Sequence, residues 1–176
     1  FDTVEPFLGN RILEIGAGIG NMSAWLPARE SLVLTELDPG LLKLLQQSPA
    51  AQRPNVSVQR FDLFADPLEP FLKMNLDTVI SFNVLEHIED DVGAFQRLCD
   101  LLRRSEAPGP KRLIAFVPAH AWAYGSLDQT FGHFRRYSAA RLRQIAQEVA
   151  PEAKFSSRYF NVFGLGGWIV NGRMLR

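Results

Sequence analysis

Short apolar runs alternate with amphipathic segments along the chain, and this alternation predicts strands that take turns with helices. Runs with the length of buried strands occupy residues 11–15, 31–36, 56–58, 76–82 and 112–117. Between them, residues 39–48 and 89–104 repeat apolar side chains at helical spacing. Strands joined by helices in this order predict an α/β fold with a doubly wound, mostly parallel sheet and right-handed crossovers.

The segments that flank this alternation predict further elements. Residues 1–9 have the pattern of a helix end closed by Gly9, and residues 19–28 that of a helix after the first strand. Ser138 is suited to begin a helix over residues 139–149. Residues 154–160 predict a sixth strand, and residues 163–176 are apolar and then helical.

A glycine-rich turn follows the first strand, in the run RILEIGAGIGN of residues 11–21. Gly16, Gly18 and Gly20 let the backbone turn sharply and approach a ligand more closely than a Cβ would allow. A helix beginning there would direct unpaired N–H groups to the same place. Near the end of the second strand, Glu36 stands where a carboxylate accepts hydrogen bonds from ribose hydroxyls in nucleotide-binding βαβ units. The two features together predict a nucleoside-bearing cofactor.

The details of the turn decide between two classes of cofactor. A dinucleotide motif reads G-x-G-x-x-G, whereas here the third glycine comes one residue early and Asn21 stands at the expected position. Glu14, two residues before the first glycine, would repel a pyrophosphate but suits a ligand with an ammonium and a sulfonium group. In these residues the chain resembles the class I S-adenosylmethionine-dependent methyltransferases, whose first motif has the form acidic-x-G-x-G-x-G.

The resemblance implies a Rossmann-like fold, S-adenosylmethionine as cofactor and S-adenosylhomocysteine as product. Asp62 stands where the family places an acidic residue beside the adenine amino group, although a loop or helix-cap role is the alternative. The family also closes its sheet with an antiparallel seventh strand, which we expect to be missing from this chain. The cofactor-binding residues implied up to this point are Glu14, Gly16, Gly18, Gly20, Glu36, Leu37, Asp62 and Leu63.

The run SFNVLEHIED, residues 81–90, stands at the end of the fourth predicted strand. Ligands of open α/β sheets bind outside the carboxyl ends of strands, so these side chains are expected to face the same crevice as the glycine turn. The run is similar to the fourth motif of many small-molecule methyltransferases. That similarity places Asn83 near the transferable methyl group, Leu85 against the adenosine and His87 in the cofactor or substrate pocket. A structural role, such as a helix cap, is the alternative for His87.

Residues 118–137 form a long segment without clear periodicity after the fifth strand, as binding loops and lids often do. A hydroxyl acceptor would need a base, and histidine is the usual one near neutral pH. His133 is therefore the first candidate for a catalytic base, and His87 and His120 follow it. Arg135 and Arg136 could hold an anionic group of the substrate or form salt bridges. A metal-dependent enzyme would need clustered carboxylates, and Asp62 alone does not supply them, so we expect no metal.

The composition of the chain limits which partners and which cellular compartment are expected. Nineteen basic and nineteen acidic residues cancel, so no overall charge attracts the protein to nucleic acid. The single cysteine excludes an internal disulfide framework and fits a cytoplasmic, reducing compartment. The chain has no apolar run long enough to span a bilayer, although residues 163–176 could contact a membrane surface or a partner. Its 176 residues predict one domain, and the sequence does not determine an oligomeric state.

The sequence thus predicts a cytoplasmic methyltransferase domain over residues 1–176, with a substrate lid at about 118–137. The segment SLDQTFGHFRRYS, residues 126–138, resembles a bacterial subgroup related to ubiquinone-pathway O-methyltransferases. That subgroup implies a small-molecule acceptor: a hydroxyl of a quinone precursor, a sugar or a lipid-linked intermediate. A catalytically silent S-adenosylmethionine-binding partner module is one alternative. An NAD-dependent oxidoreductase is another, which Glu14 and Asn21 argue against.

Overall fold

The computed structural model describes residues 3–160, and within them five parallel strands form one sheet in the order β3-β2-β1-β4-β5. This sheet, with helices in its crossovers, confirms the predicted Rossmann-like, doubly wound fold. The strands are β1 (Arg11–Ile15), β2 (Ser31–Glu36), β3 (Val56–Arg60), β4 (Thr78–Phe82) and β5 (Arg112–Phe116).

Burial follows the position of each strand in the sheet. The central strands β1, β2 and β4 are buried over nearly their whole length, whereas the edge strands β3 and β5 are only partly buried. The apolar runs of β1, β2 and β4 therefore mark strands that are covered on both faces, whereas the apolar run of β5 lies at an edge of the sheet. The core beside the sheet includes Ile12, Leu34 and Ile80, each with essentially no solvent exposure.

Two of the helices begin at polar residues whose side chains cap them. Asp38 accepts a hydrogen bond from the Leu41 N–H at 2.8 Å, and Ser138 accepts one from the Arg141 N–H at 3.1 Å. The predicted helix over residues 139–149 is confirmed in full. The helices are α1 (Pro39–Gln47), α2 (Glu69–Leu72), α3 (Asp91–Arg104), α4 (Ser126–Thr130) and α5 (Ala139–Val149).

Three of the predicted elements are wrong. Residues 19–28 contain a single 3₁₀ turn, Ser23–Trp25, because Gly20 has a left-handed φ of 88° and Pro27 forces an extended conformation on Leu26. The few residues between these two breaks cannot form a regular helix. The N-terminal helix is likewise replaced by a 3₁₀ turn, Glu5–Phe7. Residues 154–160 are largely exposed and pair with no strand within the described part of the chain, so the sixth strand is not formed there.

The described chain divides into two compact units. The first unit contains residues 3–82 and 97–116, and therefore the whole sheet. The second contains residues 83–96 and 117–160, and therefore the segments that follow β4 and β5. No helix in residues 3–160 is long and apolar enough to cross a membrane. The predicted surface contact through residues 163–176 lies outside the described residues.

Candidate functional site

The glycine turn of the first unit leaves β1 with a left-handed backbone. Gly16, Gly18 and Gly20 have φ values of 65°, 59° and 88°, which residues with a Cβ rarely adopt. Nothing lies within 4 Å of the position that a Cβ on Gly18 would take. The turn is held to β2 by the Ala17 N–H, which donates to the Thr35 carbonyl oxygen at 2.8 Å. The structure therefore has a fixed turn with open space beside Gly18.

Glu36 holds this turn through its buried carboxylate. Oε2 accepts from the Gly18 N–H at 2.8 Å, and Oε1 accepts from the N–H groups of Leu37 and Asp38 at 2.8 and 2.9 Å. A carboxylate can accept about four hydrogen bonds, so these three leave room for a ribose hydroxyl. The predicted ribose contact of Glu36 stays a prediction. The structure adds a second role, since the same side chain fixes the glycine backbone. Leu37 lies beside it and is half-exposed.

Glu14 is an ionisable group inside β1 with only 1% of its surface exposed. Burial raises the pKa of its carboxyl group to about 7, and the nearby Ser23 side chain and Arg53 offset this only in part. Its Oε2 atom is buried and has no hydrogen-bond partner among residues 3–160. An unpartnered buried carboxylate is unfavourable unless a cation or donor reaches it. Glu14 is therefore suited to a positively charged ligand.

Asp62 follows β3 and caps a turn. Its Oδ1 accepts from the Phe64 and Ala65 N–H groups at 2.9 and 3.0 Å, and these two bonds lower the pKa of the carboxyl group. The cap role considered for this residue is therefore formed. Its contact with adenine stays a prediction, as does that of the buried neighbour Leu63.

The second unit begins with Asn83, whose φ of 52° is unusual for a residue with a side chain. Leu85, two residues later, is fully buried, and its carbonyl oxygen accepts a hydrogen bond from the Tyr137 hydroxyl at 3.1 Å. The Tyr137 side chain is itself buried, which raises the pKa of its hydroxyl. The cofactor contacts predicted for Asn83 and Leu85 stay predictions. Leu85 also serves as an anchor for the long segment after β5.

The segment at 118–137 is bound to the rest of the second unit by several contacts. The Phe134 N–H donates to the Glu86 carbonyl oxygen at 2.8 Å. Arg135 donates to the Ile88 carbonyl oxygen at 3.0 Å and pairs with the Asp91 carboxylate at 3.2 Å. Of the two roles considered for this arginine, the salt bridge is therefore present. These contacts fix the position of His133 relative to residues 85–91.

His133 belongs to a buried polar network. Its Nδ1 lies 2.9 Å from Asp128 Oδ1, and Arg136 Nε donates to the same oxygen at 2.7 Å. The Gly125 N–H donates to Asp128 Oδ2 at 2.9 Å. Because the carboxylate can only accept, Nδ1 of a neutral His133 carries the proton and Nε2 the lone pair. The network therefore fixes both the orientation and the tautomer of this imidazole.

Two further ionisable groups lie beside His133. The His87 and His133 rings are 4.7 Å apart between centroids and nearly perpendicular. Burial lowers the pKa of His87, and His133 adds to this effect. Glu86 has 1% of its surface exposed, and burial raises the pKa of its carboxyl group to about 7. The third histidine, His120, stacks instead on Tyr159 at 5.1 Å.

Sequence reasoning named His87 and His133 but gave no role to Glu86 or Asp128. Asp128 precedes His133 by five residues, a spacing that carries no signal because Asp128 lies within α4 and the chain turns before it reaches His133. Glu86 stands directly before His87, and the LEH triplet could have indicated a paired donor set. Its burial, however, depends on segments that are distant in sequence.

Comparisons with known proteins bear on the first unit most directly. The family model described as "Methyltransferase domain" matches residues 12–105, which is more than half of the chain. The match runs from β1 to the residue after α3 and includes the glycine turn, Glu36 and residues 83–87. No curated protein sequence matches the chain significantly.

Solved structures share the fold at low sequence identity. CalH, a trans-methyltransferase in complex with S-adenosylhomocysteine, is 22% identical over 84% of this chain and 45% of its own, with a TM-score of 0.58. The YcgJ protein of Bacillus subtilis is 15% identical over 93% and 70%, with a TM-score of 0.65. The methyltransferase domain of bacterial CtHen1 is 18% identical over 91% and 85%, with a TM-score of 0.61. The chain thus spans less than half the length of CalH.

Proposed function

The chain belongs to the methyltransferase domain family, and from that premise we propose that it transfers the methyl group of S-adenosylmethionine to a hydroxyl of a small molecule. The cofactor is the one that the family uses, and the sequence prediction of it is confirmed. The acceptor hydroxyl and the residues that act on it are part of the proposal.

The observation that carries the proposal is the pairing of Glu14 with the glycine turn. The Oε2 atom of Glu14 is buried and has no hydrogen-bond partner among the described residues, and Gly18 has open space beside it. S-adenosylmethionine supplies a methyl group already activated by a positive sulfur. A ligand that carries an ammonium and a sulfonium group would offset the burial of the Glu14 carboxylate, which Ser23 and Arg53 offset only in part. A dinucleotide, with its pyrophosphate, would place negative charge near the same carboxylate.

We assign the activation of the acceptor to His133. Asp128 holds its Nδ1–H, so that Nε2 has the lone pair that can take a proton. In the transfer, the carbon–sulfur bond breaks as the carbon–oxygen bond forms, the hydroxyl proton goes to His133, and S-adenosylhomocysteine leaves as a neutral thioether. Methyl transfer from a sulfonium needs no electrophilic assistance, so positioning and a proton acceptor are what the chain must supply. His87 stays the second candidate.

The class of acceptor is proposed more broadly. The zero net charge gives no attraction to nucleic acid, and the resemblance of residues 126–138 to ubiquinone-pathway O-methyltransferases supports a quinone precursor, a sugar or a lipid-linked intermediate. Arg135 and Arg136 are engaged by Asp91 and Asp128, so we do not assign either of them to an anionic group of the substrate.

A catalytically silent cofactor-binding module is the second candidate. The side chain of His133 is only 10% exposed, and the buried Asp128–Arg136 pair could exist for stability alone. In that case the chain would bind the cofactor and serve a partner enzyme.

Isothermal titration of the purified chain with S-adenosylmethionine, S-adenosylhomocysteine and NAD tests the proposal. We expect micromolar binding of the two adenosyl ligands and none of NAD. Binding of NAD alone would overturn the proposal in favour of an oxidoreductase. If the adenosyl ligands bind and a panel of phenolic, sugar and lipid-linked acceptors gives no methylated product, the silent module is supported.

A further inference from the structure

We propose that Glu86, His87 and His133 together bind a divalent transition-metal ion. Each side chain offers one ligand atom, and these three atoms lie within 4.8 Å of one another. Ligand atoms that lie about 2.0–2.2 Å from a common ion are closer to one another than 4.8 Å. Small side-chain rotations would therefore complete the site. The sequence led us to expect no metal, because Asp62 alone does not supply clustered carboxylates. The three residues proposed here come from two segments more than forty positions apart.

Backbone contacts bring these segments together. Glu86 and His87 are neighbours on a 3₁₀ turn, Leu85–His87, directly after Asn83 and Val84. The Phe134 N–H donates to the Glu86 carbonyl oxygen at 2.8 Å, which fixes the residue after His133 beside this turn. His87 also interacts with the Gly132 backbone. The three residues that offer ligand atoms are therefore held in place by main-chain hydrogen bonds and not by side-chain contacts alone.

The carboxylate of Glu86 is the strongest indication that a cation binds here. Its Oε2 atom is buried and has no hydrogen-bond partner within residues 3–160. Arg136 is near enough to lower its pKa, yet burial dominates. A buried carboxylate oxygen without a partner is destabilising, and a metal ion between it and the two imidazoles would satisfy it.

Asp128 supplies the second feature of a metal site. Ligating histidines usually donate their other ring N–H to a carboxylate, which fixes the tautomer and the ring orientation. Asp128 holds His133 in this way, at 2.9 Å from Nδ1, and it is itself held by Arg136 and Gly125. The lone pair of His133 therefore resides on Nε2, as a ligand requires.

The donor set selects the class of metal. Two imidazoles and one carboxylate suit zinc, manganese or iron, whereas magnesium and calcium prefer oxygen ligands. Three protein ligands leave at least one position open for water or substrate. His87 is exposed, so an ion can reach the site from solvent.

The proposal that the ion binds does not depend on the proposed function. A role of the ion in catalysis does rest on the proposed function. If the ion binds, Glu86, His87 and His133 would hold it, the last through its Nε2 lone pair, and the ion would act as a Lewis acid that lowers the pKa of an acceptor hydroxyl. Its proton would then pass to solvent instead of to His133. The metal-free protein would use His133 as the base.

Titration of the chelator-stripped chain with zinc chloride, and separately with magnesium chloride, tests the site. We expect one zinc ion per chain, no saturable magnesium binding, and a rise in the melting temperature with zinc, because the ion binds the folded state. His87→Asn and Glu86→Gln should each weaken zinc binding at least tenfold. Asp128→Asn should weaken it about 10–100-fold through the orientation of His133. His120→Asn is the matched control, since His120 lies outside the donor set, and its zinc affinity should be unchanged.

Two results would overturn the proposal: no zinc binding by the unmodified chain, or equal affinity in the His87→Asn, Glu86→Gln and His120→Asn variants. The second result would place the ion elsewhere on the chain. Titration with S-adenosylmethionine in the presence of chelator reports the cofactor site separately. Failure of zinc binding with intact cofactor binding would therefore leave the proposed function in place.

Discussion

Each of the two compact units contains a buried carboxylate with one oxygen that has no hydrogen-bond partner among the described residues, but the burial arises differently in the two. Glu14 of the first unit lies in a central strand, beside a turn built from consecutive residues. Glu86 of the second unit lies on a short 3₁₀ turn and is covered by a segment distant in sequence. Burial raises the pKa of both carboxyl groups to about 7.

This difference indicates that two kinds of cation could neutralise the two buried carboxylates. Glu14 lies in the strand that leads into the glycine turn, with the Ser23 side chain and Arg53 nearby, and this place suits an organic cation on a nucleoside. At Glu86 the neighbours are imidazoles, which suit a metal ion. If this comparison holds, a substitution in one unit should affect one ligand and leave the other unchanged.

The largest effect is expected from the buried network of the second unit. Asp128→Ala removes the carboxylate that holds both His133 and Arg136, and losing one member of a buried ion pair is destabilising by about 3–5 kcal/mol. Urea unfolding followed by circular dichroism measures this loss. Asp100→Ala is the matched control, because its pair with Arg103 is exposed and contributes less than about 1 kcal/mol. Equal effects of the two variants would show that the network contributes nothing special.

The pH dependence of stability should show the buried Glu14. Its folded pKa of about 7 exceeds the ordinary 4.5, so the folded state holds its proton more tightly than the unfolded state. Stability contributed by the protonated form is therefore present below about pH 4.5 and is lost as the pH rises through 7, by roughly 3 kcal/mol.

Unfolding of the unmodified chain and of Glu14→Gln at a series of pH values measures this slope. The variant should become relatively more stable between pH 5 and 8, because glutamine does not ionise. A constant difference between the two proteins over this range would mean that Glu14 is not perturbed by burial.

Glu14→Gln should also affect one of the two ligands and not the other. We expect its affinity for S-adenosylmethionine to fall about 10–100-fold, as a charge-assisted hydrogen bond is worth about 1.5–3 kcal/mol. Its zinc affinity should not change, whereas Glu86→Gln should show the opposite pattern. Glu30→Gln, an exposed carboxylate paired with Arg11, is the control for the loss of a charge. Titration calorimetry measures the affinity of all three variants for both ligands, and loss of both ligands in one variant would contradict the comparison.

The smallest effect is expected at Asp62. Asp62→Asn keeps an oxygen that can accept from Phe64 and Ala65, so the cap should weaken by less than about 1 kcal/mol. If the side chain also accepts from the adenine amino group, the affinity for S-adenosylhomocysteine should fall severalfold while that for zinc is unchanged. Unchanged affinity for both ligands would leave Asp62 with its structural role only.

Most of the fold could be predicted because it rests on local patterns. Apolar runs locate the strands of a covered parallel sheet, and Asp38 and Ser138 mark helix starts through contacts three residues away. The helix expected over residues 19–28 failed because Gly20 and Pro27 break it on both sides. The strand expected over residues 154–160 failed because strand formation needs a partner, which a run of suitable residues does not provide.

The sequence by itself determined the family, the cofactor and the position of the glycine turn between Glu14 and Glu36, because these residues lie in or directly beside the strands β1 and β2. Only the tertiary structure decided which residues surround His133. A backbone hydrogen bond from Phe134 to Glu86 brings Glu86 and His87 beside it, and Asp128 is held there in a buried ion pair with Arg136. Neither contact leaves a periodic signal in the sequence. The burial of the Glu86 carboxylate depends on how the chain packs, so the proposed metal site could be inferred only from the tertiary structure.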